Sequence, residues 1–112
     1  MSEVTVTVAL GSNQGDPLLQ ITSALSEMRR AFGDRYFQCA RTVRSKPLGG
    51  PPQDDYLNTV CRFSTSLSAR ACLTVLQDLE RAHGRVRNLH WGPRTLDLDL
   101  ILYGEQVIDE PD

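Results

Sequence analysis

Hydrophobic and polar residues follow two different periods near the start of the chain. Residues 4–10 alternate β-branched apolar side chains with small polar ones, which predicts a strand with one buried face that ends at Gly11. The turn GSNQG follows, and Asp16 with Pro17 is typical of a helix N-cap and first helical position. Apolar residues then recur at steps of three and four, which predicts an amphipathic helix closing near Gly33. They are Leu18, Ile21, Leu25, Met28 and Phe32.

The middle of the chain predicts two strands separated by a loop. Residues 36–44 and 56–65 show the apolar alternation of strands. The residues expected on one side are Phe37, Cys39 and Val43 in the first strand and Leu57, Cys61 and Phe63 in the second. Between the strands, the prolines and glycines of KPLGGPPQDD (residues 46–55) exclude regular structure, so a mobile loop is expected there.

The remaining pattern predicts a second helix and a last strand. Ser68 is a preferred N-cap residue and Gly84 a preferred stop signal. The apolar stripe of this helix consists of Cys72, Val75, Leu76, Leu79 and Ala82. With a strand over residues 96–103, the order of elements is the split βαβ pattern. It predicts a ferredoxin-like α+β fold, with a mainly antiparallel sheet and helices on one face, as a single domain over residues 1–112.

Composition and charge narrow the class of protein. The 112 residues carry 14 acidic and 12 basic side chains, a net charge of −2 that implies no bulk attraction to nucleic acid or membranes. No apolar run approaches the roughly 20 residues of a membrane span, and the N-terminus lacks the features of a signal peptide. The three cysteines, Cys39, Cys61 and Cys72, form no close pair along the chain. A reducing compartment, the cytoplasm, is therefore expected.

The run LDLDL (residues 96–100) brings two carboxylates together. The core side of this strand is expected to hold Leu96, Leu98, Leu100 and Leu102. Asp97 and Asp99 would then share the other side, roughly 6.5 to 7 Å apart. A solvated strand face would account for isolated acids. The alternative is a site for a hard cation, because Mg²⁺ takes oxygen ligands and often uses one or two protein carboxylates with water and phosphate oxygens.

Positive charge is concentrated just upstream of these acids. Residues 81–94, RAHGRVRNLHWGPR, hold four of the twelve basic residues and no acid. Arg85, Arg87 and Arg94 are expected in a loop. There, each guanidinium group can bind two phosphate oxygens at once. An arginine-rich loop alone is more often solvated surface. Because these arginines lie next to the candidate metal-binding acids, the combination favours a site that binds a nucleoside triphosphate with Mg²⁺.

Two further features are compatible with a flat ligand. Tyr56 and Asn58 share one face at the start of a strand, where an aromatic ring and an amide could hold a heterocycle. Core packing and edge hydrogen bonding explain the pair nearly as well. Trp91 lies inside the basic loop, which slightly favours stacking on a ligand. The GSNQG turn lacks both the GxGxxG spacing and a GK[ST] ending, so it is interpreted as a strand-to-helix connection.

Residues 90–104, HWGPRTLDLDLILYG, carry a more specific signal. They resemble the signature of the 6-hydroxymethyl-7,8-dihydropterin pyrophosphokinase family, whose members move diphosphate from ATP to a pterin alcohol in folate biosynthesis. LGSNQGD, SKPLGGPPQDDYLN and ERAHGRVR match the family in the same order. The resemblance therefore covers essentially the whole sequence.

The resemblance implies a set of site residues. Asp97 and Asp99 would bind two Mg²⁺ ions that bridge the triphosphate and the attacking hydroxyl, with Arg85 and Arg94 completing the catalytic set. The implied ATP-binding residues are Gln77, Glu80, Arg85, Arg87, Trp91, Arg94 and Leu100. The implied pterin-binding residues are Ser45, Leu48, Tyr56, Asn58 and Trp91. Residues 46–55 and 85–93 would be catalytic loops that fold over both substrates.

The resemblance also has departures. Ser45, Lys46 and Pro47 stand where the family usually has a threonine or similar residue followed by proline, and the arginine loop is one residue shorter than in some relatives. The family usually continues through a segment with a histidine, an arginine and an aromatic residue that has no counterpart here. A fragment or a short form is therefore expected, with apolar surface that would favour self-association.

Two other functions remain open from the sequence. One is a non-catalytic module that binds nucleotide and pterin without transferring diphosphate. The other is a metal-dependent phosphohydrolase built on the Asp97 and Asp99 pair. The first would bind nucleotide without turnover, and the second would release phosphate without needing the pterin.

Overall fold

The computed structural model describes residues 3–34, 36–46, 54–83 and 96–110, which form strands and two helices. The elements in these ranges are β1 (Val4–Ser12), α1 (Pro17–Phe32), β2 (Gln38–Cys39), β3 (Val43–Ser45), β4 (Tyr56–Thr65), α2 (Ala69–Ala82), β5 (Asp97–Tyr103) and β6 (Gln106–Glu110).

One antiparallel sheet contains all of these strands, in the order β2, β4, β1, β5, β6, with β3 also paired to β4. Strand β4 lies between β1 and the pair β2 and β3, and β1 lies between β4 and β5. Each helix thus joins two strands that have another strand between them, which is the split βαβ arrangement. The predicted α+β fold is confirmed.

Both helices cover the same face of the sheet, here called the core face. On β1 this face carries Val6, Val8 and Leu10, which pack with Met28 of α1 and Leu76 of α2. All five side chains are at most 2% exposed. The opposite side of the sheet, here called the far face, carries the alternate residues of β1. It is the face on which the candidate site lies.

An aromatic stack closes the core beside α1. The Phe63 ring lies 4.4 Å from the ring of Phe32 and 5.5 Å from that of Phe37, measured between centroids. Phe63 is 1% exposed and belongs to the core face of β4, as predicted. Aromatic rings stacked at these distances stabilise the core beyond the contribution of burial alone.

Helix α1 begins and ends where the sequence predicts. The Asp16 carboxylate accepts a hydrogen bond from Leu19 N at 3.2 Å, and Gly33, with φ of 92°, follows the last turn. The apolar stripe is confirmed except at its first position. Leu18, in the first turn of the helix, is 54% exposed, whereas Ala24 is fully buried.

Helix α2 is likewise capped by Ser68, whose Oγ accepts a hydrogen bond from Ala71 N at 3.1 Å. Cys72 and Leu76 of the predicted stripe are buried, and Val75 and Leu79 are half-buried. Ala82 is exposed, so its place in the stripe was wrong. His83 occupies the C-cap, and the predicted stop at Gly84 lies outside the described residues.

The predicted strand over residues 36–44 is two short strands. Cys39 of β2 is opposite Cys61, and Val43 of β3 is opposite Asn58. The five residues 39–43 thus lie opposite the four residues 58–61, and the extra residue reverses which face the following side chains occupy. Cys39 consequently lies on the core side and Val43 on the far face, where it is 54% exposed. The prediction that both share one side was wrong.

A second irregularity corrects the end of the LDLDL strand. Leu96, Leu98 and Leu100 are fully buried, as predicted. The register of β5 against β1 then shifts between Thr7 and Val8, so that Leu102 is opposite Thr7 on the far face. Tyr103 takes the core position in place of Leu102 and donates its hydroxyl hydrogen to Leu67 O at 2.7 Å.

The ends of the sheet differ from the sequence prediction in two places. Strand β1 continues through Gly11 to Ser12, because both residues still pair with β4. Strand β6 was missed altogether. It forms a hairpin with β5 through Gly104, whose φ of 64° suits glycine. Its short sequence has little alternation to signal a strand.

Two cysteines that are distant along the chain are neighbours in the sheet. Cys39 is directly opposite Cys61, although all three thiols are free. Cys61 is 1% exposed and Cys72 is fully buried. Burial raises the pKa of the Cys61 thiol to about 12 and that of the Cys72 thiol to about 11. The apolar pattern predicts all three cysteines as core residues. This is confirmed for Cys61 and Cys72 and was wrong for Cys39, which is exposed.

None of the helices in the described ranges is both long enough and apolar enough to cross a membrane.

Candidate functional site

Three neighbouring strands bring predicted site residues together on the far face. Gly11 of β1 is opposite Asn58 of β4 on one side and opposite Asp97 of β5 on the other. Directly opposed residues of antiparallel strands share a face. Adjacent strands are spaced by about 4.8 Å, so the backbones of Asn58 and Asp97 lie roughly 10 Å apart across Gly11. A small ligand could contact both.

The carboxylates of β5 lie on the far face, as predicted. Asp97 is opposite Gly11 and Asp99 is opposite Ala9, and both are half-buried, while Leu98 between them faces the core. Neither Gly11 nor Ala9 has a long side chain, so the space beside the carboxylates is left open by the neighbouring strand. Two acids on one strand face repel each other, and a cation bound between them would relieve that repulsion.

This donor set fits a hard divalent cation. Both groups are oxygen ligands, the kind that Mg²⁺ prefers. Among the described residues, no group of three or more His, Cys, Asp and Glu side chains is arranged to hold a metal ion. A metal held by the two carboxylates alone would keep coordination positions for water or for the phosphate oxygens of a substrate.

The predicted pterin-binding residues Ser45, Tyr56 and Asn58 are adjacent in the structure. Ser45 of β3 is opposite Tyr56 of β4, and Asn58 Nδ2 donates a hydrogen bond to Ser45 Oγ at 2.6 Å. Tyr56 and Asn58 are half-buried, and Ser45 is exposed. A Cβ atom at Gly11 would lie 3.1 Å from Asn58 Oδ1 and 3.9 Å from Tyr56 Cδ1. The aromatic ring and the amide thus border the backbone of Gly11.

The turn after β1 supports this side of the site. Asn13 is 3% exposed, and its Nδ2 donates a hydrogen bond to Asp54 O at 2.8 Å. This bond holds Asp54, two residues before Tyr56, against the turn that connects β1 to α1. Sequence reasoning interpreted this stretch as a strand-to-helix turn. A buried asparagine with a partner 41 residues away gives no local signal.

Glu80 is buried beneath β5. Its side chain is 2% exposed, and Glu80 Oε2 accepts a hydrogen bond from Leu98 N at 2.6 Å. Gln77, three residues earlier on α2, is half-buried. Leu100, which the resemblance assigns to the ATP site, has its side chain fully buried on the core face. Only its backbone would be available to a ligand on the far face.

Helices α1 and α2 are joined by polar contacts at His83. The Nδ1 atom lies 2.6 Å from Gln20 Oε1, and the Nε2 atom lies 3.3 Å from Glu27 Oε2. The side chain of His83 is 10% exposed. These contacts fix the end of α2, from which the arginine-rich segment continues. No spacing in the sequence links these three residues.

The other predicted site residues lie outside the described residues. They are Leu48 of the first loop and Arg85, Arg87, Trp91 and Arg94 of the second. The predicted loops, residues 46–55 and 85–93, are described only at Lys46, Asp54 and Asp55.

Comparisons with known proteins agree on one family. Residues 7–111 match the model of 7,8-dihydro-6-hydroxymethylpterin-pyrophosphokinase. The chain is 44% identical over 106 residues to the 2-amino-4-hydroxy-6-hydroxymethyldihydropteridine pyrophosphokinase of Pseudomonas aeruginosa, covering 95% of this chain and 65% of that protein. It is 41% identical over 105 residues to the protein of the same name from Haemophilus influenzae, covering 94% of this chain and 66% of that protein.

A third relative is matched over more of its length. The protein of the same name from Pseudomonas putida is 39% identical over 104 residues, which cover 93% of this chain and 86% of that protein. The chain thus spans about two thirds of the length of the first two relatives and most of the third.

Proposed function

The chain belongs to the 7,8-dihydro-6-hydroxymethylpterin-pyrophosphokinase family, and we propose that it transfers diphosphate from ATP to 6-hydroxymethyl-7,8-dihydropterin in folate biosynthesis. The observation that carries the proposal is the far-face row of Asp97, Gly11 and Asn58. This row places the acidic pair Asp97 and Asp99, which suits a metal ion with a bound polyphosphate, beside the Asn58 amide and the Tyr56 ring, which suit a flat heterocycle.

The acidic pair would act on the polyphosphate. Asp97 and Asp99 would hold two Mg²⁺ ions. When bound, Mg²⁺ neutralises the charge that spreads over the phosphate oxygens in the transition state. The half-burial of the two carboxylates supports this role, because charges in a partly water-excluded site interact more strongly than in bulk water.

The far-face residues at the start of β4 would bind the pterin. Tyr56 would contact the ring face, and Asn58, oriented by Ser45, would hydrogen bond to its polar edge. The hydroxymethyl oxygen would then attack the β-phosphorus of ATP in line. The bond from that phosphorus to the oxygen shared with the α-phosphate breaks, AMP leaves, and the hydroxyl proton passes to solvent. Positioning and charge stabilisation carry such a reaction without a strong base.

The remaining assignments rest on the family resemblance. Arg85, Arg87 and Arg94 would bind the phosphates, with Arg85 and Arg94 stabilising the transferred group, and Gln77 would contact ATP. Trp91 and Leu48 would close over the substrates. The proposed substrates are small and soluble. We also propose that residues 1–112 fold as one domain, and that the enzyme acts in the cytoplasm without a nucleic-acid or membrane partner.

The test is a measurement of AMP formation. The protein is incubated with ATP and Mg²⁺, with and without 6-hydroxymethyl-7,8-dihydropterin, and AMP, ADP and inorganic phosphate are separated by chromatography. Pterin-dependent AMP together with the pterin diphosphate is expected. Asp97→Ala should abolish this product, whereas Asp78→Ala, an exposed acid of α2, should not. Phosphate release without pterin would indicate a phosphohydrolase, and nucleotide binding without any product would indicate a binding module. Either result would overturn the proposal.

A further inference from the structure

Helix α2 carries an ionisable side chain inside the core. Glu80 is 2% exposed, although its neighbours on the same helix face, Leu73 and Leu76, are apolar core residues. A carboxylate taken out of water is costly unless hydrogen bonds compensate it. A glutamate in this position therefore requires a specific partner.

One partner of this carboxylate is a backbone amide of β5. Glu80 Oε2 accepts the hydrogen of Leu98 N at 2.6 Å, a short distance that is typical of a hydrogen bond to a charged acceptor. Leu98 is the residue between the two carboxylates of the candidate metal site. The contact therefore holds the backbone of β5 between Asp97 and Asp99.

The sheet leaves this amide for a side chain to satisfy. One edge of β5 pairs with β1, where Leu98 is opposite Leu10. On the other edge, the pairing of β5 with β6 extends only from Tyr103 to Leu100. Beyond Leu100 no strand of the described residues continues that edge. The Glu80 carboxylate takes the place that a carbonyl group of a neighbouring strand would have.

We propose that Glu80 is a positioning residue, which sets the spacing and direction of Asp97 and Asp99 by accepting the Leu98 amide hydrogen in the place of a neighbouring strand. This inference rests on the proposed function only in assigning a metal to the two carboxylates. It differs from the direct ATP contact that the family resemblance implies for Glu80. At 2% exposure, the side chain has almost no surface to offer a nucleotide, and its Oε2 atom is directed at β5.

The first test needs neither substrate nor metal. In Glu80→Ala, the Leu98 amide is expected to lose its protection against hydrogen exchange, measured by NMR, while the Val8 amide of β1 keeps its protection. Glu80→Gln retains an acceptor oxygen, and we expect it to retain most of the protection at Leu98. Asp78→Ala, two residues earlier on the same helix and exposed, is the matched control. Unchanged Leu98 exchange in Glu80→Ala would overturn the proposal.

The second test separates positioning from contact with the nucleotide. Mn²⁺ is titrated in the presence of ATP and the absence of pterin, and its binding is followed by electron paramagnetic resonance. Loss of groups that orient metal ligands typically weakens metal binding roughly 10- to 100-fold, and we expect a loss in this range for Glu80→Ala. ATP binding measured without any divalent cation should be unchanged, and Glu80→Gln should bind Mn²⁺ nearly as well as the unaltered protein.

The opposite pattern would identify a direct contact. If Glu80→Ala weakens metal-free ATP binding and leaves Mn²⁺ binding unchanged, Glu80 contacts the nucleotide and the proposal is wrong. Circular dichroism checks that Glu80→Ala is folded. If it is not, Glu80→Gln provides the test in its place. Loss of Leu98 protection in Glu80→Gln together with normal Mn²⁺ binding would also overturn the proposal. Neither readout requires turnover, so failure of the proposed transferase activity would be seen separately.

Discussion

The side-chain amide of Asn58 lies against the backbone of Gly11: a Cβ atom added at Gly11 would be 3.1 Å from Asn58 Oδ1. On its other side, Asn58 donates a hydrogen bond to Ser45 Oγ at 2.6 Å. The amide is therefore held between a hydroxyl and a backbone that has no side chain. Glycine at this position leaves the space in which Asn58 takes its orientation.

Gly11→Ala is expected to weaken pterin binding. The added methyl group would push the Asn58 amide away from its position by a few tenths of an ångström. Misplacing one hydrogen bond to a bound ligand costs about 1 kcal/mol, or roughly a fivefold rise in the KM for the pterin. The KM for ATP should change less, because the alanine methyl group faces β4. Steady-state kinetics at saturating concentrations of the other substrate measure both values.

Thr5→Ala is the matched control, since Thr5 lies on the same strand and the same face but at the opposite end. It should leave both KM values unchanged. An unaltered pterin KM in Gly11→Ala would remove Asn58 from the pterin site.

Neutralising the acidic pair should separate metal binding from stability. In Asp97→Asn and Asp99→Asn, we expect ATP binding to lose its dependence on Mg²⁺, because the carboxylates are the proposed ligands. The free energy of unfolding should stay the same or rise, because two neighbouring negative charges no longer repel each other. Isothermal titration calorimetry with and without Mg²⁺, together with urea unfolding, measures both effects.

Asp78→Asn provides the comparison, because Asp78 is an exposed acid that pairs with Arg81 on the surface of α2. It should retain Mg²⁺-dependent ATP binding. A Mg²⁺ dependence that survives in both variants of the pair would place the metal elsewhere.

Ser68→Ala should destabilise the protein through α2. The Ser68 hydroxyl accepts the Ala71 amide hydrogen in the first turn, and loss of such an N-cap costs about 1 kcal/mol. Urea unfolding followed by circular dichroism gives the change in the free energy of unfolding. Ser66→Ala alters an exposed serine outside the helix and should have little effect. Equal stabilities of the two variants would show that the cap contributes nothing.

The three thiols should differ sharply in reactivity. Cys39 is exposed, whereas Cys61 and Cys72 are buried and have pKa values raised to about 12 and about 11. The thiolate is the reactive form. Iodoacetamide at pH 8 is therefore expected to modify Cys39 in the folded protein and all three thiols in urea, as counted by mass spectrometry. Rapid modification of Cys61 in the folded protein would contradict its burial.

The raised pKa of the Cys72 thiol also predicts how the free energy of unfolding depends on pH. Because burial raises the pKa of Cys72 above its ordinary value of 9.0, the folded state favours the neutral thiol. This stabilisation is complete below about pH 9 and declines as the pH rises towards the folded pKa of about 11. Cys72→Ala should therefore lose less stability than the unaltered protein between about pH 9 and about pH 11, the range between the ordinary and the raised pKa of the Cys72 thiol. Parallel slopes in urea unfolding over this range would contradict the prediction.

The regular parts of the fold could be predicted from periodicity. Strand β4 was predicted with its bounds and its buried face, because its alternation is uninterrupted over residues 56–65. Val43 and Leu102 were placed on the wrong face because each follows an irregularity in the sheet. A single extra residue in one strand leaves no mark in the alternation, since the mismatch exists only relative to the partner strand.

The site was predictable where it depends on one strand. Asp97 and Asp99 lie on the face that alternation predicts. The contact of Glu80 with Leu98 and the contact of Asn13 with Asp54 connect separate parts of the chain. Such contacts depend on how a helix or turn packs against a strand, and the spacing of residues within one element contains no information about that packing.

Strand β1 is paired along both edges, and its alternate residues belong to the core and to the candidate site. Removing or inserting one residue within it would exchange the two sets, so that Val8 and Leu10 faced water and Gly11 faced the helices. No compensating substitution at one position could repair both losses. Changes in chain length among functional relatives should therefore be confined to the connections between strands, and β1 should keep its nine residues.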